Sequence, residues 1–78
     1  GNGPTITFAE GVANIAFTGI PGRTYGIQRS TTMTPGSWTQ IDIVTAAPVT
    51  GAATYEDLSP VLPASFYRIV YPPAPAPN

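Results

Sequence analysis

Seven side chains of this 78-residue chain carry a formal charge: Glu10, Asp42, Glu56 and Asp57 against Arg23, Arg29 and Arg68. Histidine, lysine and cysteine are absent. General acid–base chemistry needs a group that titrates near neutrality, usually a histidine, or a carboxylate or lysine shifted by burial. Glu56 and Asp57 are adjacent, so on a strand they face opposite sides, the wrong arrangement for a cooperating pair. No serine has a base partner of the Ser–His kind. Glu56 and Asp57 offer the hard oxygen ligands that calcium takes, but too few carboxylates cluster to form a site. Asp57 is expected instead to pair with an arginine or to cap the turn before Leu58. The expectation is a chain that is not an enzyme, with no catalytic residue, no cofactor and no metal.

Composition narrows the partners. Charged residues are 9 % of the chain, against roughly 25 % in an ordinary soluble domain. A net charge of −1 leaves no basic patch for nucleic acid or for an anionic membrane surface. No apolar run approaches the ~20 residues that span a bilayer, and no signal peptide is read. The chain therefore reads as a mature product or a piece of something longer. Threonine, serine, glutamine and asparagine must supply the polar surface, a composition common outside the cell. The expected localisation is extracellular or at a cell surface.

The length permits one core. Below about 70–80 residues such a core rarely supplies more than ~3–5 kcal/mol, and small domains add a staple. Disulfides and cysteine–histidine zinc sites are excluded here. What remains is covalent neighbours in a longer protein, or self-association, which little net charge opposes.

The elements that would carry these residues are all strands. No window keeps a 3.6-residue period without a glycine or proline cutting it. Short alternating runs lie between turn clusters. Thr5–Phe8 points Ile6 and Phe8 inward, Glu10-Gly11 turns, and "VANIAFTG" aligns Ala13, Ile15 and Phe17. "IPGR" suits a type II turn. "TYGIQRS" sets Tyr25 and Ile27 against Thr24, Gly26 and Gln28, with Arg29 reaching water at the strand end. "WTQIDIVT" turns Ile41 and Ile43 inward, "ATYED" adds Tyr55, and "FYRIVY" puts Tyr67, Ile69 and Tyr71 opposite Phe66, Arg68 and Val70. The domain is expected over 5–71, behind a flexible lead at 1–4. The segment 72–78, "PPAPAPN", is a polyproline II tail.

These strands, with "FTGIPGRTYGIQRST", "GSWTQI", "G-x-x-x-Y-x-D" and "FYRIVYP", resemble a small fibronectin type III-like or immunoglobulin-like β-sandwich. The pattern is similar to modules that close long secreted bacterial surface proteins. The resemblance implies an antiparallel sandwich of six to seven strands. It also implies a corner in which Leu58, Pro60 and Tyr67 take part and the Tyr67 hydroxyl ties back to backbone. The family's closing strand is missing, because the proline tail stands in its place. The edge beside "FYRIVY" would then expose unpaired backbone groups.

Two functions are expected. In the first, the module is structural and binds copies of itself in a filament or layer by β-strand addition. The candidate interface is Ile6, Phe8, Phe66, Arg68 and Val70, with Thr5–Phe8 the segment available for donation and Val12 and Val44 also on the outer side. In the second, it binds carbohydrate through Trp38 and Tyr71, making polysaccharide the partner. Trp38 is out of phase with Ile41 and Ile43. A bulge at the strand start would turn it inward, and burial over the end of the sandwich is the expected place for it.

Overall fold

The computed structural model describes residues 4–60 and 64–74. It contains six strands: β1 (Thr5–Ala9), β2 (Val12–Thr18), β3 (Thr24–Ser30), β4 (Thr39–Thr45), β5 (Ala52–Asp57) and β6 (Phe66–Val70). They form two antiparallel sheets of three strands, β1-β2-β5 and β4-β3-β6. The lead at 1–3, the connection at 61–63 and the tail beyond 74 lie outside the described residues.

Turn chemistry explains the connections. Glu10 and Gly11 both have positive φ, and Ala9 pairs with Val12, which makes this the two-residue type I′ hairpin whose twist matches the flanking strands. At Ile20–Arg23 the Arg23 N–H donates to the Ile20 carbonyl at 3.0 Å, and Gly22 has φ 80°. That is the type II turn expected of Pro-Gly. The same loop is tied to the next by Gly19 N to Gly51 O, at 2.8 Å, and by Ala46 N to Arg23 O, at 2.9 Å.

The core lies between the sheets. Ala13 and Ile15 of the first meet Ile27 and Tyr67 of the second, and Ile6, Phe17, Ile41, Val44, Tyr55 and Ile69 pack around them. Tyr25 is buried as well, its ring edge-on to Phe17 at 5.4 Å. The structure is therefore a small all-β sandwich. Its alternation follows the sequence in β2, β3 and β6, because a half-buried strand must present every second residue to the core.

Strand β4 departs from that alternation. Its register with β3 runs Gly26↔Ile43 and Ile27↔Asp42, then jumps to Gln28↔Gln40. Ile41 is the extra residue of a β-bulge. Beyond it the phase is inverted: Ile43, expected inside, is 46 % exposed. Val44, expected outside, faces Tyr25 and packs on the core. Phe8 also differs, being 59 % exposed at the end of an edge strand, with its ring 6.3 Å from that of Tyr67.

Denaturant titration of three variants tests this register. Ile27, wholly buried, should cost about 2–5 kcal/mol when replaced by alanine. Val44→Ala should cost about 1 kcal/mol, from the methyl groups it keeps from water. Ile43→Ala should stay within about 0.5 kcal/mol of the parent. A larger loss for Ile43 than for Val44 would show that the bulge is misplaced.

Candidate functional site

Charge gathers at one end of the sandwich. Asp57 ends β5 in the first sheet, while Arg29 and Tyr67 are register partners on β3 and β6 of the second. Arg29 Nη1 donates to Asp57 Oδ2 at 2.6 Å, and the Tyr67 hydroxyl donates to the same oxygen at 2.7 Å. The other oxygen, Oδ1, accepts the Ser59 N–H at 3.2 Å. Asp57 is 5 % exposed. Asp57 pairs with an arginine, as expected, and its second oxygen caps the turn that contains Leu58, 57–59, rather than one before it.

One expectation is corrected here. Among the described residues Tyr67 ties to the Asp57 carboxylate and not to backbone, because the buried anion needs donors more than a turn carbonyl does. Arg29 reaches the surface at the strand end while Asp57 holds its guanidinium, which leaves the side chain half-buried. With Asp57 accepting from three donors, its oxygens are not free ligands. Among the described residues no three acidic side chains gather closely enough to hold a metal.

The electrostatics follow. Burial pushes the Asp57 carboxyl up, but the hydrogen bonds from Tyr67, Arg29 and Ser59 outweigh it and hold it below the ordinary carboxylate value. Burial, and then its bond to Asp57, push the Tyr67 hydroxyl up to about 12. Neither group is poised near neutrality, where acid–base catalysis works. The network joins sheets.

The proposed glycan contacts do not come together. Trp38 leads into β4 on the outer face of its sheet, half-buried, with the Arg68 guanidinium 4.5 Å above its ring. It is not a core residue. The bulge that would have turned it inward lies at Ile41, beyond it along the strand. Arg68 is held in turn by Gln28 Oε1, at 2.7 Å. Tyr71 lies past Val70, at the level of Tyr25. Its ring is 5.2 Å from that of Tyr25, and its hydroxyl accepts from Arg23 at 2.8 Å. Five residues of β3 separate these levels, about 17 Å at ordinary strand rise.

The candidate assembly residues divide three ways. Ile6 belongs to the core of its own sandwich, within a strand already paired to β2. Phe66 and Arg68 are exposed on the outer face, and Val70 is half-buried there. Phe8 stands at the rim. Among the described residues β6 pairs only with β3, and no strand lies on its other edge.

What the sequence reading missed is the course of the tail. Leaving β6, the chain crosses the outer face to Gln40 of β4, which holds the peptide of Ala74 through both ends of its side-chain amide. Alternating prolines gave no sign of a docking place, since nothing in them marks which glutamine will meet them. Compared with models of protein families, with curated proteins and with solved structures, the chain matches none.

The pH dependence of stability should report the Asp57 network. Its folded pKa is depressed, so its contribution is present above the unfolded value of about 3.9 and is lost as pH falls through the folded one. For Tyr67 the contribution is full below about 10 and is lost as pH rises through about 12. At neutral pH, Asp57→Asn or Tyr67→Phe should each cost about 1–3 kcal/mol. The Asp57→Asn variant should lose less stability than the parent between pH 5 and 2, as followed by circular dichroism.

Proposed function

We propose that the chain is a non-catalytic structural module of the fibronectin type III- or immunoglobulin-like kind, outside the cell or on its surface, that joins copies of itself. The observation that carries this reading is the unpaired edge of β6. The orders β1-β2-β5 and β4-β3-β6 correspond to A-B-E and C′-C-F of such sandwiches, and the strand that would follow beside F has no counterpart among the described residues. Residues 72–74, which stand where that strand would begin, turn over the sheet face to Gln40, and no described strand pairs with the outer edge of β6. An unpaired edge with flanking apolar side chains is a template for another chain.

Neighbours meet edge to edge in this reading. Thr5–Ala9 is fully engaged with β2, so its donation as a loose segment would first break its own sheet. Pairing of β6 with the β1 edge of the next copy is heterologous and continues as a filament. Phe66 and Phe8 flank that contact. The carbohydrate-binding reading is weaker, because Arg68 lies across Trp38 and Tyr71 is at the far end of the sheet.

Sedimentation and electron microscopy of the full chain test the proposal. Oligomers or filaments should grow with concentration. Phe66→Lys, which adds a charge beside the edge as natural edge strands do, should suppress them and leave the melting temperature within a few degrees of the parent. A chain that stays monomeric at every concentration overturns the assembly role.

A further inference from the structure

The outer face of β4-β3-β6 contains a lane with a resident peptide in it. Gln40 Oε1 accepts the Ala74 N–H at 2.7 Å, and Gln40 Nε2 donates to the Ala74 carbonyl at 2.9 Å. Both polar groups of one peptide residue are therefore read by one side chain. Within Pro72-Pro73-Ala74-Pro75 only Ala74 has an N–H to offer, because proline has none. Within that segment the bracket can therefore seat only Ala74.

The lane is built for this. Gly26 forms its floor, and a Cβ there would strike Gln40 Oε1 and come within 2.9 Å of Val70 Cγ2. Pro73 and Ala74 are half-buried although they leave the last strand. Arg68 lies across the Trp38 ring on the same face, so the Gln40 bracket over Gly26, and not the indole, is what an extended proline-rich chain meets. Such chains are stiff before binding and lose little entropy when held.

We propose that this lane is a recognition site for extended Ala-Pro peptides, and that the chain's own tail is its displaceable occupant. The same segment presented in trans, by a peptide or another copy, takes the Gln40 bracket when the tail is out. The tail is favoured in cis because its tether gives an effective concentration on the order of millimolar. This site does not depend on the β6 edge or on assembly.

Amide exchange and peptide titration, both by NMR on the full chain, test it. In the parent the Ala74 N–H should exchange at least tenfold more slowly than in a free Pro-Pro-Ala-Pro-Ala-Pro peptide, and Gln40→Ala should remove that protection while β6 amides keep theirs. Replacing Ala74→Pro and Ala76→Pro together withdraws the two alanine N–H donors set between prolines without shortening the chain. That variant should bind the free peptide about tenfold more tightly than the parent does, with the Gln40 side-chain amide shifting on binding. A peptide with N-methylated alanines should leave the Gln40 amide unmoved. Ala74 protection that survives Gln40→Ala overturns the bracket. A Gln40 amide that ignores the peptide in the vacated variant, or follows the N-methylated one equally, overturns recognition.

Discussion

A buried carboxylate is costly unless donors surround it, and the arrangement of Asp57 turns that cost into a constraint on the whole sandwich. Its donors come from the opposite sheet: the Arg29 guanidinium from β3 and the Tyr67 hydroxyl from β6, with the Ser59 N–H closing the remaining side. Any slip of one sheet over the other would strand the charge. In a core whose two largest fully buried side chains are Ile15 and Ile27, directional bonds from both strands of the facing sheet add a positional constraint that apolar contact, which has no direction, lacks. No buried side-chain polar atom among the described residues lacks a partner, so this constraint comes without an uncompensated group.

Hydroxyl groups do similar work on a smaller scale. Ser30 Oγ accepts the N–H groups of Thr32 and Met33, at 3.1 and 2.9 Å. That leaves its own hydrogen for Ser37 Oγ at 2.6 Å, which in turn donates to the Thr34 carbonyl. One directed chain of hydroxyls thereby closes the loop between β3 and β4 and delivers Trp38 to the outer face. Tyr25 serves the opposite end, its hydroxyl accepting the Ile20 N–H at 2.7 Å. With so few charges available, neutral donors and acceptors hold the loops, and salt should affect them little.

The bulge at Ile41 connects the core to the outer surface. By adding one residue opposite β3, it moves Val44 inward and Ile43 outward. On the outer side it leaves Gln40 level with Gln28, from where its amide reaches over Gly26. The tail lane and the repacked core are thus two faces of one local irregularity. Bulges near functional surfaces re-aim side chains in this way.

By itself the sequence determined the fold class, the strand positions, the two glycine turns, the inward faces of β2, β3 and β6, and an arginine partner for Asp57. These are local properties: alternation, turn chemistry and the scarcity of charge act over a few residues. It did not determine the phase of β4, because a bulge is decided by which residues the neighbouring strand presents. It did not place Trp38, whose cover is Arg68 from a strand thirty residues further on. Nor did it show the Tyr67 tie to Asp57 or the seat of Ala74 on Gln40. Trp38 meets Arg68 and Gln40 meets Ala74 across thirty residues or more, Tyr67 meets Asp57 across ten, and only the packed sheets bring each pair together.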